Sequence, residues 1–180
     1  MMSNQFVTDL EQIAPNLFRK QGDLGVLLEA DIERVVAAAT AHPLGRARIN
    51  FHGTDEDLVH EMVIAMTPRS SGAPHLHHSK SESFHLISGS LGIGFYDAAG
   101  RLDRAVLLSE GAARFYRLSG PTAHMPIALS EVAVFHETTN GPFVKGVSST
   151  TPQWAERMST ADVERLEIDL KNRLGTRTRS

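Results

Sequence analysis

The chain has 180 residues, of which 41% are hydrophobic, and its formal net charge is −3. This length suits one domain with a substantial core better than two, and an acidic balance without a basic stripe argues against a protein that binds the nucleic-acid backbone. Cysteine is absent, which excludes disulfides, thiolate metal sites and a cysteine nucleophile, so any metal must be held by histidine and carboxylate.

The N-terminal segment carries no targeting or membrane-spanning signal. Residues 1–18 read MMSNQFVTDLEQIAPNLF, which lacks a basic region followed by a long apolar run. No stretch of the chain reaches the roughly 20 apolar residues of a membrane span. We therefore expect a cytoplasmic protein with neither a membrane nor a nucleic acid as its partner.

The first clear periodicity predicts a helix over residues 27–45. Asp31 is placed to cap it, and Pro43 with Gly45 ends it. Its apolar residues recur at helical spacing on one face: Ile32, Val35, Val36 and Ala39.

Between about residues 50 and 149 the pattern changes to short strand-like runs separated by turn residues. These runs are HEMVIAMT, SFHLIS, LGIGFYD, RAVLL, ARFYR and EVAVFHE. Regular short strands are typical of a β-sandwich or barrel. Two turns are predicted as hairpins, Gly89-Ser90 after SFHLIS and DAAG at 97–100, and hairpins imply an antiparallel sheet.

A second helix is predicted over residues 159–175, with Ser159 as its cap and Gly175 as its stop. Its apolar stripe consists of Val163, Leu166, Leu170 and Leu174. The predicted organisation is an N-terminal helical segment (1–45), a β-barrel (46–150), and a C-terminal helix with a tail (151–180).

The histidines are concentrated beside one glutamate. His75 and His77 are two residues apart, so in an extended chain they share a face, and Glu82 shares the apolar face of its strand with Phe84. An inward carboxylate is costly unless a cation meets it, and a divalent ion held by neighbouring imidazoles is a sufficient reason. His124 offers a third imidazole. Three nitrogens and one carboxylate suit Fe(II), Mn(II), Ni(II) or Zn(II).

The stretch His75-x-His77-x4-Glu82-x6-Gly89 resembles the first motif of the cupin superfamily. That resemblance implies an all-β fold, an antiparallel jelly-roll β-barrel, with His75, His77 and Glu82 as metal ligands and His124 as the fourth. The second cupin motif has Pro-x-Gly before its histidine and an asparagine four residues after it. Here Gly120-Pro121 reverses that order and Ala128 replaces the asparagine.

A narrower resemblance spans roughly residues 28–145. These residues are similar to the WbuC-type cupin-fold metalloproteins, through segments that include RARINFHGTDEDLVHEMVIAM, TAHMPIAL and VFHETTNGPF. Members of that group are often associated with bacterial surface-polysaccharide gene clusters, but the resemblance assigns no substrate; a small, sugar-like ligand in surface-polysaccharide or sugar metabolism is a hypothesis. Cupins generally form dimers through their sheet edges, which implies a homodimer here.

Further residues are candidates for ligand binding. The segment before the barrel could cross the mouth of the barrel and hold an anionic ligand. Its charged residues could equally well form salt bridges at the surface. Tyr96 could orient a substrate hydroxyl or simply pack in the interior. His136 shares a face with Val132 and Val134, so it could line the barrel or be a satisfied core residue. The candidates are Arg46, Arg48, Asn50, His52, Tyr96 and His136.

Three functions remain open at this point, and no catalytic residue is assigned. The leading hypothesis is a metal-dependent enzyme, an oxygenase or isomerase, acting on a small oxygen-rich molecule. The second is a non-catalytic ligand-sensing or structural cupin. The third is a metal-free sugar epimerase or isomerase with a histidine base, which would not need Glu82 within a histidine cluster.

Overall fold

The computed structural model describes residues 9–70 and 72–175. The first eight residues and the tail at 176–180, which belong to the predicted terminal segments, lie outside them. The elements in chain order are β1 (Leu10–Ala14), β2 (Leu17–Lys20), α1 (Glu29–Ala41), β3 (Arg46–Asn50), β4 (Val59–Met66), β5 (Ser81–Ser88), β6 (Leu91–Tyr96), β7 (Leu102–Leu108), β8 (Phe115–Ser119), β9 (Ala123–Ala128), β10 (Ala133–Asn140) and α2 (Thr160–Arg173).

The strands of the described residues form two sheets. The larger has the order β1-β2-β3-β4-β10-β5-β8 and the smaller the order β7-β6-β9. The pairs are antiparallel except β2 with β3. The predicted β fold is confirmed; the strands form two sheets that pack on a shared core, and among the described residues they do not close into one barrel.

Strand alternation divides the interior into three apolar layers. On β4, Met66 contributes to the core between the two sheets, whereas Val63 and Ala65 point to the other side and pack with Val35 of α1. A third layer lies between the small sheet and α2, which contributes Val163, Leu166, Leu170 and Leu174. The large sheet is therefore buried on both faces where α1 covers it, and α2 docks on its own chain.

Both predicted helices are present, with one difference at a helix start. Ser159 caps α2 as predicted, since its hydroxyl accepts from the Asp162 N–H. Asp31 lies inside α1, three residues after the N-cap Leu28, and its Oδ2 accepts from the Leu28 N–H at 3.0 Å. An acidic side chain at that position accepts from the N–H of the N-cap residue itself, whereas a capping side chain would accept from N–H groups within the first turn.

The N-terminal segment predicted as helical also contains strands. β1 and β2 are only five and four residues long, too short for a clear alternation pattern. The chain continues from β2 through α1 to β3, and β2 pairs with β3 in parallel. A parallel pair needs a long crossover connection, which α1 provides. These strands extend the large sheet at the edge opposite β8.

One predicted hairpin is wrong and the other is confirmed. Gly89-Ser90 joins β5 to β6, but β5 pairs with β10 and β8 in the large sheet while β6 pairs with β7 and β9 in the small one. The turn therefore carries the chain from the large sheet to the small one, and Gly89, with a φ of +78°, allows this change of direction. DAAG at 97–100 is a true hairpin turn, where the Gly100 N–H donates to the Asp97 carbonyl at 3.0 Å.

Candidate metal centre

Backbone pairing brings the four sequence-predicted metal ligands together. The extended segment that carries His75 and His77 joins β9 through two hydrogen bonds between the main chains of His75 and His124, of 3.0 and 2.8 Å. Glu82 points inward from the start of β5 and is 2% exposed. One potential ligand atom from each of these four residues lies within 4.8 Å of the others, so the cluster could hold a divalent metal ion.

The spacing of the side-chain atoms fits such an ion. His124 Nε2 lies 3.0 Å from Glu82 Oε1, and His77 Nε2 lies 3.3 Å from Glu82 Oε2. Ligand atoms that are each about 2.1 Å from an ion are separated by about 3.0 Å in octahedral and 3.4 Å in tetrahedral geometry. The contacts of this carboxylate with the two imidazoles are therefore those of neighbouring ligands.

The outer nitrogens of two imidazoles are held by backbone carbonyls. His77 Nδ1 donates to the Ser148 carbonyl at 2.7 Å, and His124 Nδ1 donates to the Thr122 carbonyl at 3.0 Å. A carbonyl only accepts, so each ring carries its proton on Nδ1 when neutral. Both rings consequently present the Nε2 lone pair to the cluster, in the orientation that a metal-binding histidine requires.

Two further observations fit a metal ion. His124 is fully buried, yet its Nε2 has no aligned hydrogen-bond partner among the described residues, which is costly for a buried polar atom. Burial, reinforced by the neighbouring His124, lowers the pKa of His75 to about 3. His75 is therefore neutral at physiological pH, as a ligating imidazole must be.

Glu82 is held as a carboxylate by its neighbours. Burial alone would raise its pKa, but the adjacent His124 and His77 and a hydrogen bond from Tyr116 outweigh burial and lower the pKa below the usual range. The Tyr116 hydroxyl donates to Glu82 Oε1 at 2.8 Å. These neighbours keep the carboxylate charged, and the tyrosine hydrogen bond fixes its orientation in the cluster.

A cavity of about 400 Å³ gives access to the cluster. His75, His77 and Glu82 form part of its wall, whereas His124 is buried behind them. The remaining wall is mostly apolar, comes mainly from strands β3, β4 and β10 with residues of β1, β2, β5 and β9, and includes Arg46 and Arg48. The volume falls within the usual range of small-molecule sites, roughly 300–1,000 Å³.

A smaller cavity of about 170 Å³ adjoins the first. Arg48, Met62, His77 and Glu137 line both cavities. In the smaller one, the rings of His52 and His60 stack with centroids 4.1 Å apart. The two cavities therefore share part of their walls, and the proposed metal ligand His77 lies at their junction.

The structure brings three of the six candidate ligand-binding residues to these cavities. Arg46 and Arg48 line the large one, and His52 lines the small one. Asn50 is buried on the same strand but lines neither cavity.

The other two candidates point away from the cavities. Tyr96 packs on the far face of the small sheet, against Trp154 and within the layer under α2. His136 does share a face with Val132 and Val134, but Val132 and Val134 pack in the layer beneath α1, and His136 Nε2 lies 3.7 Å from Glu61 Oε1.

Sequence reasoning did not identify Glu137 or the contact of Tyr116 with Glu82. Glu137 follows His136 on β10 and points to the opposite face, into the cavities. Burial, followed by the charge of Glu82, raises the pKa of Glu137 to about 7. Its pairing with Phe84 and Met62 in the flanking strands depends on register, which no local motif encodes.

Comparisons with known proteins support the fold. The family described as a domain of unknown function, DUF6016, matches residues 27–108. A search of curated proteins finds no significant match. Among solved structures, the capsular polysaccharide assembling protein CapF from Staphylococcus aureus is 19% identical over 58% of this chain and 29% of that chain, with a TM-score of 0.50.

Two further structures give similar values. CapF with the inhibitor 3-isopropenyl-tropolone is 20% identical over 58% of this chain and 30% of that one, with a TM-score of 0.50. Protein SO0799 from Shewanella oneidensis is 10% identical over 61% of this chain and 75% of that one, also at 0.50. The likeness to CapF shows a cupin-type fold, although this chain spans less than a third of the CapF chains it matches.

None of the described helices has the length and apolar character to traverse a lipid bilayer.

Proposed function

We propose that this chain is a metal-binding cupin of the WbuC type whose divalent ion, held by His75, His77, Glu82 and His124, binds a small, oxygen-rich anionic molecule. The observation that carries the proposal is the convergence of these four ligand atoms within 4.8 Å. The Nδ1 hydrogen bonds of His77 and His124, which direct Nε2 inward, add to it. A bound ion would supply Lewis-acid chemistry, or redox chemistry if it is iron or manganese.

The residues of the large cavity support an anionic ligand. Arg46 and Arg48 extend from alternate positions of β3 toward the same space as the metal ligands. A guanidinium recognises carboxylate and phosphate through paired hydrogen bonds. The ligand would thus lie between the ion and these two arginines.

The sugar-like character of the ligand rests on the resemblance to the WbuC-type proteins. CapF, which shares the fold, is described as a capsular polysaccharide assembling protein, and we extend a surface-polysaccharide or sugar-metabolic role to this chain only as part of the proposal. Homodimerisation through sheet edges and a cytoplasmic location remain predictions from the sequence.

Elemental analysis by plasma mass spectrometry tests the metal site. Untagged wild-type protein should contain about one metal ion per chain, and Glu82→Gln and His124→Ala should lose it because each removes a ligand. His85→Ala is the matched control, since His85 is exposed on the outer face of the strand that carries Glu82. Equal metal content in all four folded proteins, or none in the wild type, would contradict the proposal.

A further inference from the structure

Glu137 is a carboxylate placed between apolar neighbours at the junction of the two cavities. On β10 it pairs with Phe84 of β5 on one side and Met62 of β4 on the other. Phe135, two residues earlier, lines the large cavity on the same face. Glu137 therefore points from an apolar sheet face into the space beside the metal ligands.

The Glu137 carboxylate accepts no hydrogen bond from any of residues 9–70 and 72–175. The charged or ionisable groups that influence it electrostatically are Glu82, His77, His124, Arg48, Lys80 and Tyr116. A half-buried carboxylate without donors is unfavourable. Since Glu137 lines both cavities, a ligand in that space can supply the missing donors.

A histidine on the neighbouring wall of the small cavity offers a further acceptor. His52 Nδ1 donates to the Glu61 carbonyl at 3.1 Å, and burial lowers the pKa of His52, so its Nε2 carries a lone pair. Two cations line that wall: Lys80 already donates to the carbonyls of Asn140 and Pro142, and Arg48 also lines the large cavity, where it would meet the ligand's carboxylate. The small cavity thus matches hydroxyl groups better than a second anionic group.

We infer that Glu137 accepts hydrogen bonds from ligand hydroxyls, so that the ligand is a polyhydroxylated carboxylic acid of the sugar-acid class. Its carboxylate would lie against Arg48 beside the metal ligands, and its hydroxyls would extend past Glu137 toward His52. This inference rests on the proposed function, because it places the ligand beside the bound ion. Glu137 would be a residue that determines specificity, distinct from the four metal ligands.

Titration calorimetry with two six-carbon probes tests this assignment. Gluconate carries a carboxylate and hydroxyls, whereas hexanoate carries the carboxylate alone. The zinc-loaded wild-type protein, freed of unbound zinc, should bind gluconate about tenfold more tightly than hexanoate. Glu137→Gln should remove most of that preference by weakening gluconate binding, while hexanoate binding stays within about twofold of wild type.

Two controls separate the possible causes. Glu61→Gln makes the same chemical change on the outer face of β4, beside His136, and should retain the wild-type preference. Arg48→Gln should weaken both probes, because both carry the carboxylate. Zinc content is measured in every protein before titration.

Each outcome bears on a different claim. A wild type that takes up no zinc contradicts the proposed function, and this inference falls with it. Zinc-loaded wild type that does not prefer gluconate overturns the inference alone. If wild type and Glu137→Gln prefer gluconate over hexanoate equally, the inference is also overturned. Loss of zinc from Glu137→Gln would assign this residue to the metal site instead.

Discussion

The hydroxyl of Tyr116 donates a hydrogen bond of 2.8 Å to Oε1 of Glu82, and both side chains are buried. The same oxygen lies 3.0 Å from His124 Nε2. Tyr116 projects from β8 and Glu82 from β5, which pair in the large sheet. The tyrosine therefore fixes the orientation of the one carboxylate in the proposed metal centre.

Tyr116→Phe should weaken metal affinity about tenfold while leaving all four proposed ligands in place, because partners that orient a ligand typically contribute 10- to 100-fold. The affinity is measured by competition with a chelator of known strength. Tyr96→Phe is a matched control, since Tyr96 is also buried but its hydroxyl has no hydrogen-bond partner among the described residues. An equal effect of the two substitutions would mean that Tyr116 acts through packing.

Removal of the metal should lower the melting temperature of the wild type. An ion that binds only the folded state stabilises it by about 2.7 kcal/mol at a free concentration of 100 times Kd, which corresponds to roughly 5–10 °C for a chain of this size. Differential scanning calorimetry with and without EDTA measures the shift. Glu82→Gln should show no response to EDTA, and a similar shift in that variant would place the responsible ion elsewhere.

Three of the four proposed ligands could be predicted from sequence because their spacing is local. His75, His77 and Glu82 lie within eight consecutive residues, and the alternation of β5 places Glu82 on the face of Phe84 and Leu86. Period-two alternation requires no knowledge of the partner strand. The fold class could be predicted from the short strand-like runs between about residues 50 and 149.

The residues beyond the ligand set could not be assigned because the large sheet is buried on both faces. On β10, Val134 packs under α1 and Phe135 packs between the sheets, so both faces of the strand look like core faces. His136 shares a face with Val134 and Glu137 shares a face with Phe135, so alternation along β10 could not decide which of the two lines the cavities. An antiparallel strand covered on both sides loses the alternation that identifies its inner face.

Gly89→Ala should destabilise the protein by about 3 kcal/mol, because it combines a left-handed backbone with a steric clash. Gly89 has a φ of +78°, and an added Cβ would meet the Val132 carbonyl oxygen and the Ser130 Oγ. Gly111→Ala is the control, with a φ of +82° and open space around it, and should cost about 1 kcal/mol. Urea denaturation compares the two, and equal losses would mean that the passage between sheets yields to accommodate the methyl group.

Lys20→Met should lower the free energy of unfolding by about 3 kcal/mol, because it removes the cation from a buried carboxylate. Lys20 Nζ lies 2.9 Å from Asp31 Oδ2, and the two side chains are 3% and 0% exposed. Adding Asp31→Leu should restore stability to within about 1 kcal/mol of wild type, the remainder being the lost interaction with the start of α1. A double variant no more stable than Lys20→Met would show that the loss does not come from the stranded charge.

The same ion pair predicts a stability difference at high pH. Burial on its own lowers the pKa of Lys20, but hydrogen bonds and charges from Asp31 and Asp9 outweigh it, so the folded-state pKa is raised above 10.5. A raised pKa means that the pair stabilises the fold fully below the unfolded-state value and less as pH rises through the folded-state value. Above about pH 10.5 the unfolding free energy of wild type should therefore fall more steeply than that of Lys20→Met/Asp31→Leu, which lacks this group. Urea titrations followed by circular dichroism give both curves, and parallel curves would mean that Lys20 titrates alike in the folded and unfolded chains.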